Sequence, residues 1–393
     1  MNMSKSQILS DVCEFIVDCP HSTANDEGKG YPLIRTPNIG KGRLDLNGVH
    51  RVSEQVYKQR NARGIPQDDD LIFAREAPAG NVAIIKNGEK VCLGQRTVLL
   101  RPDKNKVCPD YLVYYILAPD QQYKLLGTAN GATVAHVNLP IIRNMPIELP
   151  PLDIQIKVAA ILSAYDNLIE NNQKQIKLLE EAAQRLYKEW FVDLRFPGYE
   201  NTPIVDGVPE GWERKRLVDI ADVVMGQSPK SEFYNKEKKG LPFHQGVGSY
   251  GSRFVVDDVY SSSVTRIAEA GSILFSVRAP VGRLNFTKNK IIIGRGLAAI
   301  NHKGKCQSFL FYMLKEQFFK DDILGNGSIF ASISKDELLN QKFVIPQDKL
   351  MRKFDVIVSE IDCKIACADN QIQLLTQARD RLLPKLMSGE VEV

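Results

Sequence analysis

Two stretches of the chain space their apolar residues in the same way. In the first the positions are Val158, Leu162, Tyr165, Ile169, Asn172, Ile176, Leu179, Ala183, Leu186 and Trp190. In the second they are Phe354, Val358, Ile361, Ile365, Ala368, Ile372, Leu375, Arg379, Leu382 and Leu386. Steps of three and four residues kept over about five heptads put one apolar stripe along a helix and call for a second helix to cover it. The helices are expected to open at Pro150-Pro151 and Pro346 and to run to Phe191 and Met387. At ~1.5 Å per residue, about forty residues span roughly 60 Å. Asn172 and Arg379 interrupt the stripes, and a polar residue in such a seam can fix register at a cost in stability. The alternative, each helix buried in its own domain, fits less well because neither is apolar all round.

The two stretches are copies. A slide of 196 residues aligns Ile161 with Ile357, Ser163 with Ser359, Asp166 with Asp362, Ile176 with Ile372 and Arg185 with Arg381, without a gap. Upstream, Asn130-Gly131 falls on Asn326-Gly327 at the same offset, Pro78 and Gly80 on Pro280 and Gly282 at 202, and Gly30 and Pro32 on Gly240 and Pro242 at 210. The offset changes only between strand-like blocks, as insertions in loops would make it. Four segments follow: 1–149, 150–198, 199–346 and 347–393. The first and third alternate short β-type runs (Val98–Leu100, Leu112–Ile116, Val255–Val256, Ile291–Ile293) with Gly, Pro, Asn and Asp, which predicts an α+β fold rich in loops.

Composition narrows the picture. The 393 residues are 44% hydrophobic and 25% charged, an ordinary globular balance, with a net charge of +4. Residues 1–149 hold 18 basic against 16 acidic residues and 199–346 hold 20 against 16, whereas 150–198 hold 6 against 7 and 347–393 hold 7 against 8. A polyanion would therefore meet the variable blocks. The opening MNMSKSQILSDVCEFIV lacks the apolar core of a signal peptide and no run of about eighteen apolar residues follows, so a cytoplasmic protein without membrane contact is expected. The seven cysteines are scattered without a C-x-x-C, so no disulfide framework or zinc site is indicated; Cys363 and Cys367 read as small packing residues.

Catalytic signatures are missing. No phosphate-binding G-x-x-x-x-G-K-[ST] loop occurs, no G-x-G-x-x-G opens a helix after a strand, and the five histidines have no metal-ligand spacing. Glu27-Gly28-Lys29 lacks the upstream Pro-Asp of a nuclease carboxylate set. The expectation is a chain that is not an enzyme by itself and holds no metal or cofactor.

Specific residues carry a family resemblance. Pro150-Pro151-Leu-Asp-Ile-Gln155 and the helix ending Lys188-Glu-Trp-Phe-Val-Asp-Leu-Arg-Phe196 resemble the central conserved region of the DNA-specificity subunits of type I restriction-modification systems. Arg381-Leu-Leu-Pro-Lys-Leu-Met-Ser-Gly-Glu390 resembles their C-terminal region, and Gly211-Trp212 with Leu217 the entry to a second recognition domain. The start of the first block, SKSQILSDVCEFIVD, departs from that entry by lacking Gly-Trp. The resemblance spans essentially the whole chain. It implies two tandem target recognition domains built on mixed β-sheets, each followed by a long helix, with the helices paired as an antiparallel coiled coil through Leu162, Tyr165, Ile169, Asn172, Ile176, Leu179, Val358, Ile361, Ile365, Ile372, Leu375 and Arg379. It further implies that each domain reads half of a bipartite DNA site and that the helices set the spacer. The implied partners are double-stranded DNA, two methyltransferase subunits and two restriction subunits, with S-adenosylmethionine, ATP and Mg2+ on those subunits.

Reading bases in the major groove calls for Arg or Lys at guanine and Asn or Gln at adenine, set on loops over a rigid scaffold. The loop candidates in the first domain are Arg35, Asn38, Lys41, Arg43, Arg75, Asn81, Gln95, Arg96, Asn130 and His136. Those in the second are His244, Gln245, Ser249, Tyr250, Arg253, Arg278, Arg283, Arg295, Asn326 and Ser334. For each, a solvated surface charge or a phosphate contact is at least as good an account. Ala77-Pro78-x-Gly80 and Ala279-Pro280-x-Gly282 read as one turn copied with its domain, Pro at its first central position, while its neighbours differ: Glu76 against Arg278, Asn81 against Arg283. The rival reading is a coiled-coil adaptor that binds only protein.

Overall fold

The computed structural model describes residues 7–127, 136–318 and 332–393. It divides into two compact units, one formed by Met1–Gln173 with Asn370–Val393 and the other by Lys174–Asp369. Each long helix, Leu152–Tyr187 and Asp348–Ser388, contributes one part of its length to each unit.

In unit one a four-stranded antiparallel sheet runs in the order Cys13–Asp18, Thr97–Pro102, Leu71–Ala74, Val82–Ile84. Both faces of the sheet are covered, which is why its strands are apolar runs and do not alternate with polar residues. Leu71, Phe73, Val82, Ile84, Val98 and Leu100 face helix Pro109–Leu117 and the long-helix residues Val158, Leu162 and Leu386. Ile72, Ala74, Ala83 and Leu99 face the other way, towards Val91 and towards Ile34 and Leu93 of a smaller sheet, Arg51–Val52, Tyr31–Ile34, Cys92–Leu93.

Unit two repeats this plan. Its four strands are Ala221–Met225, Leu297–His302, Ile273–Ser276 and Leu284–Phe286, antiparallel in that order. One face packs Ile273, Phe275, Ala298 and Ile300 on helix Gln307–Phe318 and on Ala183, Tyr187, Phe354 and Val358; the other packs Leu274, Leu297 and Ala299 on Ile291 and Ile293. In both units a parallel strand pair sits in the second sheet, Leu33 opposite Cys92 and Phe243 opposite Ile292. The entries agree too: strand Gln7–Ile8 pairs with Pro146–Ile147, and Glu213–Arg216 with Lys342–Ile345. Asp11 accepts from the Ile8 N–H and Asp219 from the Arg216 N–H, both at 3.0 Å. The first domain has this entry without Gly-Trp.

Every residue of the two predicted stripes is buried or half-buried, while Leu168, Leu178, Val356 and Leu374 just off them are exposed. The helices pair antiparallel. Asp166 meets Arg379 in unit one and Tyr187 meets Phe354 in unit two, so position falls along one helix as it rises along the other.

Three local expectations are corrected. Leu112–Ile116 is helical, not a strand: Pro109 opens the helix, and burial of Tyr111 through Ile116 removes the polar face that would have revealed its period. Val255 makes only an isolated bridge to Tyr250, and Val256 is exposed. Cys363 and Cys367 are exposed, so they are not packing residues. Among the described residues no helix is long and apolar enough to cross a membrane, and no group of three or more His, Cys, Asp or Glu could hold a metal ion.

Candidate nucleic-acid interface

The copied hairpin has one backbone in both units. The Ala74 N–H donates to Asn81 C=O at 2.8 Å and the Gly80 N–H to Ala74 C=O at 2.9 Å; Ser276 with Arg283, and Gly282 with Ser276, repeat this at 2.9 Å each. Both Ala-Pro peptides are cis. Gly80 and Gly282 have φ of +89° and +87°. A Cβ at either would come within 2.6 Å of Gln122 or 2.8 Å of Phe318, so only glycine fits there.

Around the hairpin of unit one the charges are paired internally. Arg75 is buried; its Nε donates to Val137 C=O and its Nη1 to Asp18, both at 3.0 Å, and its Nη2 lies 2.9 Å from His136 Nε2. The other ring nitrogen of His136 meets Glu76, whose second oxygen takes Arg96 Nη1 at 2.9 Å. Backbone bonds identify the matching positions in unit two. Arg75 corresponds to Val277, since their N–H groups donate to Arg96 and Gly296 and their carbonyls accept from Val137 and Ile333. Strand register places Met225 at Asp18, and the offset of 196 places Ser332 at His136. The network therefore has no counterpart. Arg278, in the place of Glu76, is exposed, as is Arg295, and neither side chain has an ion pair among the described residues.

The remaining candidates divide by burial. Asn38 is buried, accepting from the Arg35 N–H at 3.0 Å and donating to Asp45 C=O at 3.2 Å; Asn81 donates to Ile39 C=O at 2.8 Å. His244 is buried between Ser249 Oγ at 2.8 Å and Asp257 at 3.0 Å. Tyr250 has its hydroxyl buried without a partner among the described residues. Ser334 caps helix Lys335–Leu339. Arg253, only 2% exposed, stacks on Phe286, Phe311 and Tyr312 and meets Asp362 and Glu180. For Arg75, Asn38, Asn81, His244, Ser249 and Arg253 the expected place on an open loop is corrected: each side chain is buried or half-buried and makes polar contacts within the protein. Arg35, Arg43, Gln95, His136 and Arg283 are half-buried, and Lys41, Arg96, Gln245, Arg278 and Arg295 are exposed. Asn130 and Asn326 lie outside the described residues.

What sequence reasoning missed is the acidic side. Asp18 and Glu76 hold the basic groups of unit one, and only Glu76, beside a copied turn, carried a signal. The buried cysteines are inert by the same physics, with Cys92 and Cys306 thiols pushed by burial up to about 11.

Comparison with known proteins agrees with the duplicated architecture. The family model for the type I restriction modification DNA specificity domain matches twice, over residues 4–181 and 209–365. The chain is 31% identical to a putative type I restriction enzyme MjaX specificity subunit of Methanocaldococcus jannaschii, over 98% of this chain and 93% of that one. It is 29% identical to the MjaIX specificity subunit of the same organism, over 88% and 83%. In fold it is similar to the crystal structure of a type I restriction-modification S subunit from M. genitalium, with a TM-score of 0.56 and 16% identity over 98% and 97% of the two chains. The chain belongs to the type I restriction modification DNA specificity family and carries two copies of its domain.

Proposed function

We propose that this chain is the non-catalytic, DNA-binding specificity subunit of a type I restriction-modification complex. Each recognition domain reads one half of a bipartite, asymmetric site. The two long helices set the spacer and dock two methyltransferase subunits, and with two restriction subunits the complex directs adenine methylation and cleavage. S-adenosylmethionine, ATP and Mg2+ belong to those partners. The observation that carries the reading is the duplicated domain whose scaffold is held constant while the groups beside its hairpin change from a closed network to open arginines. Positioning contacts to phosphate and readout of base edges both need such groups on a rigid frame.

The test is to map methylated adenines in a host carrying the complete system, with the native chain and with residues 199–346 replaced by those of a relative. The expected result is a bipartite site of which the replacement alters one half. Methylation that ignored the replacement, or an unpartitioned site, would leave the adaptor reading standing. A salt series on the complex adds an independent arm, since affinity resting on phosphate neutralisation falls steeply with salt.

A further inference from the structure

The two helices carry one aspartate in register, Asp166 and Asp362, and each is a point where a recognition domain is tied to its helix pair. In unit one Asp166 accepts from Tyr114 Oη at 2.6 Å, on the domain's helix, and from Arg379 Nη1 at 2.6 Å, on the opposite long helix. In unit two Asp362 accepts from Ser308 Oγ at 2.6 Å, again on the domain's helix, and from Arg253, here on a domain loop.

The arginine has changed place between the copies. Backbone bonds show that Gly42 and Arg253 are the same position: the carbonyl of Gly42 accepts from the Ile84 N–H and that of Arg253 from the Phe286 N–H, each at the end of the matching strand. The N–H groups of Gly40 and Gly251 close the two loops on Arg43 and Phe254, both at 3.0 Å. The offset of 196 makes Ala183 the counterpart of Arg379. Unit one thus has glycine on the loop and arginine on the helix; unit two has arginine on the loop and alanine on the helix. Gly42 has φ of +98°, in the left-handed region that favours glycine. Ala183 is fully buried in the core of unit two.

A guanidinium that moves between positions while its carboxylate stays marks the contact itself as what is retained. We propose that Asp166 and Asp362 are positioning residues: with Arg379 and Tyr114, and with Arg253 and Ser308, they fix the angle at which each domain leaves its own helix pair, and so the spacer the complex accepts. The two joints differ in kind. In unit two the arginine comes from the domain, so the domain is held by a charge-assisted bond. In unit one the arginine joins helix to helix, and the domain is held by Tyr114, with Arg43 Nη2 reaching Asn167 at 3.2 Å.

This inference rests on the specificity reading above and is tested separately from it. The native chain, co-produced with its modification subunits, is offered a DNA library in which the spacer varies in steps of one base pair, and methylated adenines are sequenced. Asp166→Asn is expected to raise methylation at the neighbouring spacer by about tenfold relative to the native spacer, with both half-site sequences unchanged. Tyr114→Phe, which leaves Arg379–Asp166 intact, is expected to move the same ratio in the same direction, and Arg379→Lys to keep it near the native value. Folded variants with native spacer discrimination would overturn the joint alone; if Asp166→Asn does not fold, Tyr114→Phe decides. A native complex with no bipartite site would sink the specificity reading and this inference together.

Discussion

The two copied hairpins share the backbone bonds that close their turns and differ in almost every group beside them. In unit one Asp18, Arg75, His136, Glu76 and Arg96 form one chain of contacts in which each charge meets its opposite. In unit two Met225 and Val277 replace the inner pair, and Arg278 and Arg295 stand open. The scaffold tolerates this because its hydrogen bonds are main-chain to main-chain and its core is made by strands covered on both faces. Change is confined to side chains that the sheet does not need. The joints to the helices follow the opposite rule: there the chemistry stays and the backbone position that supplies it moves.

The sharpest way to break the comparison is through the arginines. Arg253→Ala removes a guanidinium from three aromatic rings and leaves Asp362 and Glu180 without it; losing one partner of a buried pair costs about 3–5 kcal/mol. Both tryptophans, Trp190 and Trp212, sit in the core of unit two, so a fluorescence melt reports that unit and should drop further than the far-UV circular dichroism melt. Arg379→Ala is expected to cost less, about 1.5–3 kcal/mol, because Tyr114 still donates to Asp166. It should lower the dichroism midpoint while leaving fluorescence nearly unmoved; equal shifts in both signals would mean that the units unfold as one.

Smaller effects probe the hairpins. Arg278→Ala is expected to lower the slope of log affinity against log salt by about 0.9 if the side chain neutralises a phosphate. Glu76→Gln in unit one should raise affinity modestly by releasing Arg96; no change from either variant would reduce the hairpin to scaffold.

The smallest contrast is with pH. Burial would raise the Asp69 carboxyl, but Lys104 and Lys86, at 2.6 and 2.7 Å, hold it below its ordinary value. Its contribution to unit one is present above about pH 4 and is lost as pH falls through the lowered value. In unit two burial raises Asp355 and Asp362 despite the Phe309 N–H and Arg253. Those groups favour folding most at acid pH, and that contribution is lost as pH rises through their raised values. Acidification from pH 7 towards 3 should therefore narrow the gap between the fluorescence and dichroism midpoints if unit two begins as the less stable, and widen it if it begins as the more stable. A gap independent of pH would contradict these assignments.

Much of this was legible in the chain. The seams of both helices read directly from spacing, because a stripe facing one partner leaves a period in the sequence. The duplication read from fixed offsets. The helix at Pro109–Leu117 did not, since burial all round erases the period. The candidate interface was legible only as a set of residue types: nothing local distinguishes Arg253, seated among aromatic rings, from Arg278, open to solvent. The difference arises from residues more than a hundred positions away, such as Asp362.

One consequence lies in the order in which the chain is made. Unit two is a single continuous segment, Lys174–Asp369, whereas unit one needs Asn370–Val393 to complete its core, where Leu382, Leu383, Leu386 and Met387 pack. During synthesis from the N-terminus, the domain that emerges first is the one finished last. Its apolar helix face waits for residues 370–393 while the whole of unit two is translated and can fold. A nascent chain stalled before residue 370 would hold a closed second domain and an open first one with its apolar helix face exposed.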